Sequence, residues 1–458
     1  MNDMNILIYL IDQKKLTNPF IKLLPTKRII IMKKFALVTL ASLLFSAFTL
    51  QAEVKDSTKS GKLTISGYVD VYYQYNLNNP SFVSPVQSAT NTGGSAYGTP
   101  PSGAGVPLQA GGQNIGRIFD VKNNQFSLGL AQTKFAYTTD KSEVVIDLAY
   151  GPNAALGNFG NLYGTDINIK QAYMSYMFTK KLNVTIGQFG THVGYELIDA
   201  PLNYNYSLSY LFGNGPFYHT GAKASYAFSD NVGLMAGIVN GWDGMYAWNG
   251  KKTAIAQLFL KPTDGFNIYV NFISGDQRNS LSFPTLGSPT APISSNQKTN
   301  STLFDLTTTY QITDAFKLGL NAAYGFGSHL KATADPTMFD KAKWGGAALY
   351  ADYRFSSVFG LGLRAEYFND KDGVRYISYA MGQGCYMNEF TLTGDIRMMD
   401  GHFNLKPEFR IDVAHVNDKT VGVVTGTENK GFTSNPGSNN PKTTNIQPTI
   451  GMAAIYAF

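Results

Sequence analysis

From Leu63 onward the chain alternates apolar and polar positions with a period of two, in runs of about 9–14 residues. In LTISGYVDVYYQY (63–75), Leu63, Ile65, Val69, Val71 and Tyr73 share one face, and Thr64, Ser66, Asp70 and Gln74 share the other. EVVIDLAY (143–150), LFDLTTTYQI (303–312), LGLRAEYF (361–368), EFTLTGDIR (389–397) and LKPEFRIDV (405–413) repeat the pattern. A period of two predicts strands with two unlike faces. The polar face here carries charges that a globular core would have to pair or expel.

The connectors between runs also alternate. TDK (139–141), KK (180–181), SDN (229–231), TDG (263–265), TD (313–314), SS (356–357) and MDG (399–401) are short and have tight-turn chemistry. Between them lie long polar connectors at about 76–123, 151–166, 191–216, 241–251, 276–301, 327–342, 370–386 and 416–443. Seven short turns alternating with eight long loops predict sixteen strands in consecutive hairpins, with both chain ends on the short-turn side. After Ala52 no stretch approaches 18 consecutive apolar residues, so no helix can span a bilayer. An even strand number, apolar-out and polar-in alternation, and long loops confined to one end describe an all-β fold. The prediction is a transmembrane antiparallel up-and-down β-barrel of sixteen strands, with short periplasmic turns and long extracellular loops. LGLAQTKFAY (128–137) has no clear register within this scheme, and 76–123 is long enough to hold a further hairpin.

Composition fits this reading. Only 15% of residues are charged, against roughly 25% in a typical soluble domain, while 28 tyrosines, 30 phenylalanines and 46 glycines favour strands and turns. From Met32 the chain reads MKKFALVTLASLLFSAFTLQA, with Lys33 and Lys34, an apolar run Phe35 to Leu50, and a small-residue exit at Ala52. This predicts a signal peptide at 32–52 and leaves 1–31 as a gene-model extension ahead of it. The barrel domain is then 53–458. Removing 1–52 takes away seven of the 37 basic and two of the 31 acidic residues, so the net charge falls from +6 to near +1. A chain so balanced gives no support to a nucleic-acid partner. Its single cysteine, Cys385, allows no internal disulfide.

TISGYVDVYYQYNLNNP (64–80), QAYMSY (171–176), IGQFGTHVGYELIDAPLNYNYSLSYLFGNGPFYHTGAKASYAFSD (186–230) and AGIVNGWD (236–243) resemble the outer-membrane β-barrel porins called OmpL-like. The likeness covers essentially the whole mature chain. It implies porin-like function in the outer membrane of a Gram-negative bacterium, and it brings no catalytic residues. The ending IGMAAIYAF resembles the signal read by the barrel-assembly machinery, closing on Phe458. In it Ile450, Met452, Ala454, Tyr456 and Phe458 are expected to face lipid and the strand to close against 63–75, with Ile455 an inward exception.

The third long loop, 190–216, is the candidate pore constriction, as it is in sixteen-stranded general porins. Tyr195, Tyr204, Tyr206, Tyr210 and Phe212 are expected to pack on the wall while Glu196, Asp199 and Asn203 stay solvated. The inward faces of four consecutive strands carry Asp352 and Arg354, then Arg364 and Glu366, then Glu389, Asp395 and Arg397, then Lys406, Glu408, Arg410 and Asp412. The expected pore-lining set is Glu196, Asp199 and Asn203 facing Arg354, Arg364, Arg397, Lys406 and Arg410, acids and bases setting up a transverse field. These charges could equally serve to stitch the wall together.

Weaker signals add little. GLGLRA (360–365) sits on an alternating strand with no helix behind it, DKDG (370–373) reads as a turn, and the five histidines form no H-E-x-x-H pair. His219 and Lys223 are expected to face the lumen near the third loop. The favoured function is passive diffusion of small hydrophilic solutes, with outer-membrane lipid as surroundings and no cofactor, metal or catalytic group required. A homo-oligomer stays open. The alternatives are an oligosaccharide channel using Tyr72, Tyr350 and the tyrosines of 204–210 as a stacking track, a binding or adhesion barrel using 76–123 and 416–443, and a barrel enzyme using His192 or His219.

Overall fold

The computed structural model describes residues 61–79, 114–157, 160–161, 168–247, 250–276, 300–330, 339–381, 383–417, 430–434 and 442–458. All lie in the unit Gly61–Phe458. The segment expected to be a signal peptide, 32–52, lies outside the described residues, as does most of 76–123.

Sixteen long strands form the wall. They are β1 (Lys62–Asn76), β2 (Gln125–Thr138), β3 (Ser142–Tyr150), β4 (Asn168–Met177), β5 (Leu182–Gly190), β6 (Tyr218–Ser229), β7 (Val232–Val239) and β8 (Thr253–Thr263), followed by β9 (Phe266–Asp276), β10 (Asn300–Gln311), β11 (Phe316–Leu330), β12 (Phe339–Arg354), β13 (Phe359–Asp370), β14 (Cys385–Met398), β15 (Phe403–Val416) and β16 (Ile446–Ala457). Each pairs antiparallel with its neighbours in chain order. β16 returns to β1, with Tyr73 opposite Met452 and Val69 opposite Tyr456, so the sheet closes and no edge is left unpaired.

All seven short turns fall where the sequence predicts them, because their chemistry is local. The hydroxyls of Thr139, Thr179, Thr313 and Ser356 accept the backbone N–H three residues on, from Ser142, Leu182, Phe316 and Phe359, at 3.0–3.1 Å. In the turn before β15, Met399, Asp400 and Gly401 all have positive φ, at 53°, 56° and 92°.

The faces follow the alternation. Leu63 and Ile65 are more than half exposed and Met452 and Tyr456 nearly so, whereas Asp70 and Gln74 are buried inside. The unclear register of 128–137 has a physical cause: β1 and β2 slip past each other between Val69 and Val71. Val69 lies opposite Ala131 and Val71 opposite Leu128, so Gly129 and Leu130 together face the single residue Asp70. The bulge turns Leu130 inward while Leu128 stays outside, which no strict alternation can reproduce.

The interior departs from the polar lumen that the sequence predicts. At the long-loop ends of β7 to β15, Val239, Ile255, Ile273, Leu303, Trp344, Phe368, Met387 and Ala414 point inward and are buried in one apolar cluster. Val193, Tyr210 and Leu211 from the third long loop and Val374 and Ile377 from the seventh belong to the same cluster. Ile455, the inward exception in β16, packs with Tyr68, Leu130, Ala200 and Tyr206 in a second cluster. Its direction is explained: the inserted loop supplies apolar cover.

Candidate functional site

The third long loop, 191–217, leaves β5 and crosses the inside of the barrel before rejoining the wall at β6. It contains a 3-10 turn, Ala200–Leu202, and a single helical turn, Tyr210–Gly213, capped by Ser209, whose hydroxyl accepts the N–H of Phe212 at 3.0 Å. A segment without long regular structure exposes its backbone groups, which must find partners once enclosed. Wall carboxylates supply them. Glu408 accepts the N–H groups of Tyr206 at 2.8 Å and Ser207 at 3.1 Å, and Glu366 accepts those of Tyr210 and Leu211 at 2.7 Å each.

The basic wall residues hold the loop's carbonyls and acids. Arg364 is fully buried, with Nη1 at 2.5 Å from Glu196 and 2.6 Å from the Ser207 carbonyl, and Nε at 2.9 Å from Glu389. Arg410 donates to the Leu208 carbonyl at 2.8 Å and to Asp412 at 2.8 Å. Asp412 also accepts from Arg117 at 2.7 Å and from the Tyr210 hydroxyl at 2.9 Å. Arg117 comes from the end of the first long loop, where Asp120 pairs with it at 2.8 Å. Lys406 reaches the carbonyls of Ala200, Asn203 and Tyr204.

The sequence expects Glu196, Asp199 and Asn203 to stay solvated. Glu196 is instead buried, held by Arg364 and by the Ser209 N–H at 2.8 Å, because enclosure beside a guanidinium leaves it no water to face. Asp199 is bound by Lys170 of β4, a residue the sequence reading passed over. Asn203 is half-buried and spends its amide on the backbone of Leu197, whose N–H it accepts at 3.0 Å, closing 197–203 into a tight loop. Arg354 and Arg397 both bind Asp395 near the short-turn end, where Arg397 keeps 42% of its side chain exposed.

A cavity of about 740 Å³ lies on the other side of the loop, against β2, β4, β6 and β8 to β12. Glu196, Asp199 and Asn203 border it; Arg354, Arg364, Arg397, Lys406 and Arg410 do not. Its basic border is Lys134, Lys170, Lys223 and Lys317. Of these, Lys223 was foreseen in the lumen; Lys134 was hidden by the β2 bulge. Lys317 sits at an inward position of FKLGL that alternation alone marks, whereas Lys170 lies at a bulge: Asp147 pairs with Gln171 and Leu148 with Ile169, so Lys170 turns inward on a strand whose later even positions, Met174 and Tyr176, face out. His192, also on the border, has Nε2 at 3.0 Å from the Phe272 carbonyl. Burial lowers its pKa to about 4, aided by the nearby charge of Lys223 and opposed by the hydrogen bond to Phe272.

The tyrosine faces are already engaged. Tyr195 stacks on Tyr350 at 4.2 Å, Tyr72 lies 5.5 Å from Tyr206, and Lys317 sits 4.8 Å over Tyr204. In the seventh long loop, Asp370 caps its own turn, accepting the N–H groups of Val374 at 2.9 Å and Arg375 at 2.7 Å.

A closed sixteen-stranded barrel with an apolar outer belt, an internal cavity edged by charge and a loop bound across its lumen defines an outer-membrane porin. The chain belongs to the family described as "Putative beta-barrel porin-2, OmpL-like", whose model matches residues 62–458. Among solved structures it is similar to the outer membrane channel DcaP of Acinetobacter baumannii, with 11% identity over 88% of this chain and 99% of that one and a TM-score of 0.51. It is also similar to Salmonella typhi OmpF in complex with daunomycin, with 10% identity over 87% and 98% of the two chains and a TM-score of 0.50. At such identity the likeness speaks for the fold. No curated protein matches the sequence.

Proposed function

We propose that this porin carries small hydrophilic solutes passively across the outer membrane, through the space between the inserted loop and the wall of β2 to β11. The observation that carries the reading is the cavity of about 740 Å³ bordered by lysines, threonines and glutamines inside a closed barrel. Toward the long-loop end the route narrows at Val193 and Gly194. There a space of about 10 Å³, room for roughly one water, separates the loop from Asp305, Asn321 and Trp344. Gly194 is held there by its N–H to Asp305 at 3.0 Å, with a φ of +93° and no atom within 4 Å of where a Cβ would stand. The loop can yield at that point more easily than along its charged clasp.

Export by a signal peptide at 32–52, insertion by the barrel-assembly machinery reading the strand that ends at Phe458, and association of copies in the membrane belong to the same proposal. A stacking track for oligosaccharides is disfavoured by the engaged tyrosine faces.

Refolded protein is expected to give discrete single-channel steps in planar bilayers, smaller than those of a loop-free barrel. Liposome swelling should fall steeply with solute size. Silence in both assays would overturn the channel reading.

A further inference from the structure

The charges along the route do not cancel. Of the four lysines on the cavity border, Lys170 binds Asp199 and lies 3.7 Å from Asp147, and Lys317 lies 3.5 Å from Asp352. The remaining acid on the border, Glu196, is neutralised by Arg364 at 2.5 Å. Lys134 and Lys223 are left, and among the described residues neither forms an ion pair. Asp147 stands opposite Lys134 in the strand register and takes hydrogen bonds from Gln132 at 2.8 Å and Gln171 at 3.1 Å, while Lys170 is shared between it and Asp199; the four lysines thus face three carboxylates, Asp147, Asp199 and Asp352, and the surplus is one positive charge. Lys223 rests over the ring of Phe189, its Nζ 4.3 Å from the centroid.

Four strand steps separate β2 from β6, about 19 Å of wall at the usual inter-strand spacing. The two lysines therefore reach the cavity from different parts of the wall and do not form one clamp. Within a low-dielectric wall, unbalanced charge of one sign concentrates counter-ions, and lysine or arginine side chains in a pore are a recurrent means of admitting anions. We infer that the channel selects for small anions, carboxylates and phosphates, and that Lys134 and Lys223 determine that selectivity. This rests on the channel reading above. It places selectivity on the β2–β6 wall, away from Arg364 and Arg410, whose charge is spent on the loop and its carboxylate neighbours, and from Arg354 and Arg397, which share Asp395.

The test is the reversal potential of the folded protein in planar bilayers under a KCl gradient. Wild type should show the sign of chloride preference, and the preference should weaken at high salt as the screening length falls from about 10 Å at 0.1 M to about 3 Å at 1 M. The pair Lys134→Gln and Lys223→Gln should move the reversal potential to near zero while single-channel steps persist, and Lys134→Arg with Lys223→Arg should keep the anion sign. Cation preference in wild type, or anion preference unchanged in the glutamine pair, would overturn the proposal. A second measurement needs no variant: calorimetry of inorganic phosphate with detergent-folded wild type should show saturable binding, and none would count against the anion route. Silent bilayers with phosphate binding intact would overturn the channel reading and leave the anion site standing.

Discussion

The guanidinium of Arg364 has no contact with solvent and is divided between Glu389 on the next strand, Glu196 on the inserted loop and the carbonyl of Ser207. Buried ion pairs gain little over an apolar replacement, but removing one partner strands the other in low dielectric, at a cost of about 3–5 kcal/mol. Arg364→Ala should therefore loosen the loop while the barrel persists. The expected signs are new protease cleavage between 196 and 213 and larger single-channel steps, with strand circular dichroism retained; an uncut loop would show that Arg364 does not hold it. His192 gives a pH handle on the same loop. Released, its imidazole titrates near about 6.5; docked, it titrates at about 4. The docked state thus binds fewer protons between those values, so docking is strongest above the higher one and weakens as pH falls toward the lower. Channel opening measured against pH should rise on acidification through this window, and His192→Gln should flatten that rise.

At the level of strands and turns, the period of two had to survive only one test, whether each outward residue meets lipid. Leu349 on β12 is 60% exposed, flanked across the ladder by Leu320 and Ala365. Leu349→Arg should cost about 2–4 kcal/mol if that position lies near the bilayer centre, read as a lower urea midpoint for folding into vesicles; an unchanged midpoint would mean that this face does not touch lipid. The sixteen strands and all seven short turns were legible because hydroxyl and glycine turns are specified within four residues. The register of β2 was not, since the bulge opposite Asp70 exists to bring Leu130 N–H and Tyr206 hydroxyl to that carboxylate. Tyr206 belongs to a loop well downstream, and nothing in 128–137 announces it.

For the molecule as a whole, the same distinction between near and far decides what could be read. Alternation correctly turned Glu366, Glu389, Glu408 and Asp412 inward, but it could not say that they would bind the loop's backbone rather than water. It also missed the apolar filling at the long-loop end, because runs such as NFIS (271–274) and TLFD (302–305) are apolar on both faces there and look like poor strands rather than covered ones. The cavity on the β2–β6 side is what remains after that filling, so its lysines became visible only once the loop had been placed. The clasp also has a history built into it. Glu196 is 168 residues ahead of Arg364, and Tyr210 is 202 ahead of Asp412, so the loop is made long before the strands that hold it. Until β13 to β15 have joined the wall in register, Glu196 lacks Arg364, and the backbone groups of 206–211 lack the glutamates and arginines that bind them. A barrel whose last strands enter one step out of register would present apolar side chains where Arg364 and Arg410 should be, and its loop would stay unbound and open to periplasmic proteases. Closure of this clasp thus waits on the late strands, and a bound loop is a sign that they entered in register.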